Sequence, residues 1–353
     1  LHNSGIEILS TGGTAELLRK GGVPVIQVSD YTGFPEMMDG RIKTLHPRVH
    51  GGILARRDVP GHMKAMEEHG IRPIDLVVIN LYPFEQTVAK EGCTLEEAIE
   101  NIDIGGPAMV RSAAKNCNDV TIIVDPKNYG LVLEEMKKGS VSLETRRRLS
   151  RDAFAHTARY DSLISTFLYG QWEDEPSFPP FLNQPYAKVQ DLRYGENPHQ
   201  SAALYKESHP QPADIVSAEQ LQGKELSFNN FIDLNAAWEL ARELCSGAVV
   251  IVKHTNPCGV ALGEDQLKTF ITAREVAPVS AFGGILGFNQ PVTAPVVEEI
   301  LKNFVEAVVA PGFDEGAKKL FATKKNIRLM QMPSADFDSR DRRCDLKLSL
   351  IHI

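Results

Sequence analysis

The chain has 353 residues, 42% of them apolar and 24% charged, a globular composition with enough length for about two domains. A net charge of −8 excludes any global attraction to nucleic acid, so an anionic ligand has to be held by a local cluster of cations. The cysteines Cys93, Cys117, Cys245, Cys258 and Cys344 are odd in number and scattered, which speaks against a disulfide framework and for a reducing, cytoplasmic setting; no stretch reaches the length of a membrane span.

In chain order, residues 6–9 read as a short strand feeding the loop Ser10, Thr11, Gly12, Gly13, Thr14. Residues 15–20 then have helical composition, and Gly21 and Gly22 stop them. Such a helix start turns backbone N–H groups and the positive end of the dipole toward an anion, although a purely structural glycine turn has the same pattern. Residues 23–29 give a second strand. The stretch 39–52 follows, with Arg41, Lys43, His46, Arg48 and His50 set between glycines and a proline and no acidic residue after Asp39. Arginine chelates two phosphate oxygens and lysine supplies a compact charge, so the segment reads as an anion holder or, equally, as a solvated basic loop.

Residues 62–69 make a short helix. Residues 75–81 form a nearly continuous apolar run rich in β-branching, as expected of a strand buried on both faces of a parallel sheet. It ends at Asn80, Leu81 and Tyr82, and residues past the carboxyl end of such a strand face the ligand crevice. Thr94 with Glu97 forms a capping box for a helix through Glu100. A second glycine turn, Asp103 to Pro107, opens a helix carrying Arg111 and Lys115; residues 120–124 are a strand, and Asp125 with Pro126 caps the next helix. A long helix over 143–170 sets Phe154, Ala158, Leu163, Ile164, Phe167 and Leu168 at three- and four-residue spacings. This half is α/β with a mainly parallel sheet. Pro176, Pro179, Pro180 and Pro185 place an interdomain linker at 173–187.

The second half opens on a polar loop over 192–200. Asn229 and Asn230 open a helix over 233–244, and residues 248–252 are a buried strand. That strand delivers Lys253, His254 and a turn of Asn256, Pro257, Cys258 and Gly259 at its carboxyl end. A strand-like segment holds Ser280 to Gly284, and 305–310 is the last clear strand, so this half is also α/β.

Lys43, Tyr82, Asp103 and Lys115 each stand beside a glycine loop or a strand end. Two lysines suit a phosphate or a developing oxyanion, Asp103 can steer a proton, and Tyr82 can donate to a carbonyl oxygen. Taken singly, Lys115 reads as an exposed helix lysine and Asp103 as a helix cap. His46 and His50 are four apart, but Pro47 intervenes and no third ligand is near, so no metal site is expected there. Pro257-Cys258 resembles half of a zinc-deaminase signature, yet Ala261 stands where the second cysteine belongs and Asn256 where the glutamate does, which argues against zinc. Lys253 beside His254 is the best catalytic pair of this half, because a neighbouring cation keeps the imidazole neutral and able to accept a proton from an attacking amine.

Read together, Ser10-Thr-Gly-Gly-Thr14, Phe34-Pro-Glu-Met37, Gly40-Arg-Ile-Lys-Thr-Leu-His-Pro47, Asn80-Leu-Tyr-Pro-Phe84, Ile102-Asp-Ile-Gly-Gly106, Ala113-Ala-Lys-Asn116, Arg193-Tyr-Gly-Glu-Asn-Pro-His199, Val252-Lys-His-Thr-Asn-Pro-Cys-Gly259 and Ser280-Ala-Phe-Gly-Gly284 resemble one bifunctional purine biosynthesis family. It joins aminoimidazole carboxamide ribotide (AICAR) formyltransferase to inosine monophosphate (IMP) cyclohydrolase. The resemblance runs in order over nearly the whole chain and is strongest to the bacterial branch.

It implies a methylglyoxal-synthase-like cyclohydrolase domain over 1–172 and the N-terminal part of a cytidine-deaminase-like formyltransferase domain over 188–343, with 344–353 matching nothing. By motif, Lys43, Tyr82, Asp103 and Lys115 are the implied catalytic set for ring closure. Ser10, Thr11, Gly12, Gly13, Thr14, Arg41, Thr44, Asn80, Gly105 and Gly106 are implied contacts of the ribotide. Lys253 and His254 are implied to catalyse transfer from formyl-tetrahydrofolate, with Arg193, Tyr194 and Asn230 on AICAR and Phe282 and Gly283 lining the site. The implied partners are AICAR, formyl-AICAR, IMP and reduced folate. Neither zinc, nucleic acid nor membrane is implied, the cyclohydrolase needs no cofactor, and the family is a homodimer with transferase sites at the subunit interface.

The family pattern also has an earlier strand and a Ser-Asp-Lys loop before Leu1, continues past the end of this chain, and has Asp where Ala277 stands. The expectation is therefore a chain truncated at both ends, with little or no formyl transfer of its own. Two other readings are a lyase or isomerase of a small phosphorylated sugar, for which no carboxylate pair or His–Asp base stands at the phosphate loop, and a ribotide-binding module without turnover.

Overall fold

The computed structural model describes residues 1–169, 171, 180–207 and 213–333. It divides into two compact units, Leu1–Pro185 and Tyr186–Ile353. Much of the expected linker and the whole segment from 344 lie outside the described residues.

In the first unit β1 (Leu9–Ser10) leads into α1 (Gly12–Lys20), and β2 (Ile26–Gln27), parallel to β1, is followed at once by α2 (Val28–Thr32). Two expectations change here. The glycines expected to precede α1 form its first turn, and the strand expected over 23–29 is two residues long because the chain coils into α2 before Gly33. The basic stretch is largely helical too. Pro47 does not interrupt a helix but starts α3 (Pro47–Leu54), its fixed φ suiting the first position, while His46 Nδ1 accepts the Arg48 N–H at 3.1 Å.

After α4 (Pro60–Glu68), β3 (Leu76–Val78) pairs in parallel with β4 (Thr121–Ile123). Between them lie α5 (Phe84–Val88), α6 (Leu95–Glu100) with its Thr94–Glu97 capping box, and α7 (Gly105–Lys115). β3 is not buried on both faces: Val77 is buried but Val78 is 42% exposed, since β3 and β4 form a sheet of only two strands. α8 (Tyr129–Lys137) precedes α9 (Leu143–Leu168). The face that α9 buries is Thr145, Leu149, Ser150, Ala153, Thr157 and Tyr160, whereas Phe154, expected inside, is 38% exposed under the Arg111 guanidinium. Small and hydroxylic residues let α9 approach α7 closely, and Ser150 Oγ donates to the Ala114 carbonyl at 2.7 Å, so its hydroxyl is buried at little cost.

The second unit opens with an antiparallel hairpin of β5 (Tyr186–Leu192) and β6 (Ala202–Glu207), then β7 (Glu219–Gln222) and α10 (Phe228–Glu243). β8 (Ala248–Lys253), β9 (Asn256–Leu262), α11 (Gln266–Val276), α12 (Pro278–Ala281), β10 (Ile285–Phe288), α13 (Ala294–Ile300), β11 (Ala307–Ala310), α14 (Glu315–Phe321) and β12 (Arg328–Gln331) complete it. A six-stranded sheet runs β7-β12-β11-β10-β8-β9, with β10, β11 and β12 parallel and the remaining pairs antiparallel. Strand residues alternate between two cores. Val249, Ile251, Leu286 and Val308 face one, and Val250, Val252, Ile285 and Val309 join Leu234 and Trp238 of α10 in the other. This explains why 248–252 is apolar without alternation; each such side chain fully buried contributes about 1.5 to 3 kcal/mol.

Four expectations are corrected in this unit. α10 starts at Phe228 rather than 233, because Ser227 and Asn230 form a reciprocal capping box. Asn256 to Gly259 are not a turn but the start of β9. Ser280 and Ala281 are helical, and the chain is redirected at Gly283, whose φ is 71°. The strand at 307–310 is followed by β12, whose opening residue Arg328 conceals it in the apolar pattern.

Candidate functional site

Lys43 and Thr44 are neighbours whose side chains reach two different helix starts. A Cβ added to Gly12, the first residue of α1, would lie 3.6 Å from Lys43 Nζ, and one added to Gly105, the first residue of α7, would lie 2.8 Å from Thr44 Oγ1. Helix starts leave N–H groups outside their own ladder, and Thr11 and Ile104 cap these two without a side-chain hydrogen bond. The segment thus brings an ammonium and a hydroxyl to two helix starts, with Ser10, Thr11, Gly13 and Thr14 around the first, while at the second the Gly106 N–H is taken by Asp103. Gly40 is needed for close approach. Its φ is 87°, and a Cβ there would run into the Lys43 stem and lie 2.8 Å from Glu36 Oε1. Glu36, which sequence reasoning missed although it sits in the quoted Phe34 to Met37 motif, holds Lys43 Nζ at 3.0 Å. A cleft of about 190 Å³ opens beside Lys43, lined by Thr32, Phe34, Met37, Ile42, Leu45 and His46.

Asp103 turns the chain into α7. Its Oδ1 accepts the Gly106 N–H at 2.8 Å, and its own N–H donates to Tyr160 Oη at 2.8 Å. Tyr160 is buried, which pushes its phenol up against the opposing hydrogen bond from the Asp103 N–H, and the charges of Asp103 and Asp161 add to the rise. Asp103 is therefore anchored by a buried hydroxyl, that of Tyr160, which no sequence pattern singles out. Tyr82 is 53% exposed, and Asn80 Nδ2 donates to Tyr129 Oη at 3.5 Å. Two residues are not brought into this group. Arg41 pairs with Glu100, and Lys115 is the exposed last residue of α7, about 15 Å along the axis from Gly105 by the rise of the helix. His50 of α3 donates from Nδ1 to Ser112 Oγ, 3.1 Å away, whose hydroxyl in turn donates to the Ala108 carbonyl.

In the second unit Lys253 pairs with Asn256 across the β8–β9 hairpin, leaving His254 and Thr255 as a two-residue turn. Their φ values are 53° and 60°. Both lie in the left-handed region, and for a non-glycine residue that costs roughly 1 to 3 kcal/mol each. The turn is held by side chains: Asp233 Oδ1 of α10 accepts the Thr255 N–H at 2.7 Å, and Thr255 Oγ1 and Asn256 Nδ2 donate to the His254 carbonyl at 2.7 and 2.8 Å. Lys253 Nζ donates to the Phe282 carbonyl at 3.1 Å, which brings Lys253 to the segment of Phe282 and Gly283, and the Gly283 N–H donates to Phe304 O at 2.8 Å.

Arg193 and Tyr194 stack on each other, with the guanidinium 4.7 Å from the ring centre. Both act on the charge of buried Arg328, whose guanidinium burial pushes down and Glu306 pushes back up. Asn230, expected on the ligand, is committed elsewhere. It is buried, its oxygen accepts from Ser227, and its Nδ2 donates to Glu306 Oε1 at 2.9 Å. Cys258 is held above the usual thiol range by burial, a poor thiolate. Among the described residues no group of three or more His, Cys, Asp or Glu side chains is arranged to hold a metal, and no helix is long and apolar enough to cross a membrane.

Residues 113–348 match the family model described as AICARFT/IMPCHase bienzyme, and residues 1–108 match the MGS-like domain. The boundary between the two matches falls within α7, well before the division between the compact units, and the first match reaches residue 348. A solved structure titled "Crystal structure of ForH" is 37% identical, covering 46% of this chain and 85% of that one, with a TM-score of 0.42.

Proposed function

Since the chain belongs to the AICARFT/IMPCHase bienzyme family, whose two activities are the last two steps of purine biosynthesis, we propose that its first unit carries the ring closure and its second the formyl transfer. The observation that carries the first assignment is the reach of Lys43 and Thr44 to the starts of α1 and α7. The α1 start takes the ribose phosphate, with Ser10 to Thr14 donating. The carboxamide nitrogen of formyl-AICAR attacks its own formyl carbon, a C–N bond forms, and the carbonyl oxygen becomes an oxyanion facing Lys43 and Tyr82. Asp103 accepts a proton from the attacking nitrogen and the oxyanion takes one up to become a hydroxyl; a second proton on that hydroxyl breaks the C–O bond, and water leaves as the formamide nitrogen gives up its proton and the ring C=N bond forms. Gly105, Gly106 and Asn80 line the same mouth. Arg41 and Lys115 act only if Arg41 leaves Glu100 and the Lys115 chain swings in.

In the second unit the AICAR amine attacks the formyl group of formyl-tetrahydrofolate, His254 accepts the amine proton, and the folate nitrogen leaves with a proton. Lys253 supplies charge, Phe282 and Gly283 line the site, and Arg193 with Tyr194 hold the ribotide. A cytoplasmic homodimer, a domain boundary at 173–187 and the absence of zinc belong to the same reading.

The experiment is absorbance-monitored conversion of formyl-AICAR to IMP by the purified chain beside Lys43→Ala. Turnover in the chain and its loss in the variant, with ribotide binding retained, is expected. Equal turnover in both removes Lys43 from the mechanism.

A further inference from the structure

We propose that Asp233 is the positioning residue of His254. This rests on the reading of His254 as the proton acceptor of the second unit. Asp233 lies in the second turn of α10, a helix anchored by its capping box and by burial of Phe231, Leu234 and Trp238. α10 packs against β8, and from this fixed platform the Asp233 carboxylate reaches the Thr255 N–H at 2.7 Å. The bond crosses from helix to hairpin tip and closes on the residue after His254.

The turn needs such a clamp. Two-residue hairpins with both residues left-handed favour asparagine and glycine, and here histidine and a β-branched threonine occupy the two positions. The hydrogen bonds of Thr255 Oγ1 and Asn256 Nδ2 are local, both ending on the His254 carbonyl. Asp233 is the described contact that ties the tip to another element of the unit. Without it the turn relaxes toward ordinary φ values, and the imidazole swings with the backbone. Lys253 is held separately, through the Phe282 carbonyl, so the two members of the pair are positioned by different elements. The role is geometric: an asparagine oxygen accepts the same N–H, so charge is dispensable and the acceptor is not.

The test uses the full chain with ¹³C-labelled histidine, the His254 signal being assigned by its disappearance in His254→Gln. In Asp233→Asn the ring signal keeps its wild-type position and its response to added AICAR. In Asp233→Ala it moves or broadens and the AICAR response fades, while the other histidine signals stay in place. A His254 signal unchanged in Asp233→Ala overturns the proposal. If the signal follows Asp233 as described but AICAR leaves the His254 signal of the wild-type chain unmoved, the positioning role stands and the transferase reading falls.

Discussion

The Asp103 carboxylate wraps the backbone of Gly106: it accepts the Gly106 N–H at 2.8 Å, and a Cβ on Gly106 would lie 2.9 Å from its carboxyl carbon. The same Cβ would meet Leu81 Cδ2 at 2.9 Å, so neither side has room. Gly106→Ala is expected to push Asp103 off the start of α7, costing about 1 to 3 kcal/mol of stability through overpacking and lowering ring closure far more than that loss alone explains. Urea midpoints and turnover measured together check it. A variant with normal turnover shows that Asp103 can act from another position.

Gly40→Ala tests Lys43 without touching it. The substitution meets a left-handed backbone, φ 87°, and places a Cβ against the Lys43 stem and 2.7 Å from its amine. Ring closure is expected to fall at least ~100-fold, as for a group displaced by about an ångström, while the circular dichroism spectrum is kept. Removing the stem restores the space, so Gly40→Ala combined with Lys43→Ala is expected to be no slower than Lys43→Ala alone, a coupling that a double-mutant cycle reads directly.

The architecture was legible wherever a local signal was strong. The Thr94–Glu97 box, the apolar run of β8 and the punctuation by Gly21 and Gly22 all appear as expected. What the pattern missed depended on partners distant in sequence. Tyr160 looks like one more aromatic on α9 until the Asp103 N–H is seen to donate to it, and Glu36 has no meaning before Lys43 folds back on it. Asn230 shows a second limit, because a capping residue and a ligand-binding one share the same chemistry, and its capping of α10 and its burial appear only in the fold. Pro47 reads as an interruption only until it is placed at the first helical position, where proline is a start signal.

Acid should weaken the first unit through two histidines. Burial holds the His50 imidazole below its usual 6.5, and burial with the charge of Arg159 does the same at His156 against the opposing pull of Asp125. The Nε2 atom of each is buried without a partner. The unfolded chain therefore binds protons that the folded one refuses, so their contribution is intact above 6.5 and lost as pH falls below it through the lower folded values. The urea midpoint is expected to drop between about pH 7 and about pH 5, and His50→Gln with His156→Gln to flatten that slope. An unchanged slope in the double variant assigns the titration to other groups.

Glu306 and Arg328 should respond unequally to removal. The Arg328 side chain is 7% exposed and that of Glu306 39%, and the two meet at 3.3 Å, with Asn230 donating to the same carboxylate oxygen. Taking away Glu306 leaves a guanidinium buried, its Nε already unpartnered, beside the positive charge of Arg193. Taking away Arg328 leaves a carboxylate that water can reach. Glu306→Ala is therefore expected to cost roughly 2 to 4 kcal/mol, below the loss for a wholly buried pair because Glu306 is part-exposed, whereas Arg328→Met, which fills the space without a charge, costs about 1 kcal/mol or less. Urea denaturation of both variants decides. Arg328→Met also relieves the repulsion on Arg193, so ribotide affinity in that variant separates the two roles of the network. Affinity kept at wild-type level means that Arg328 serves the fold alone, and affinity lost means that it holds Arg193 and Tyr194 in place for the ligand.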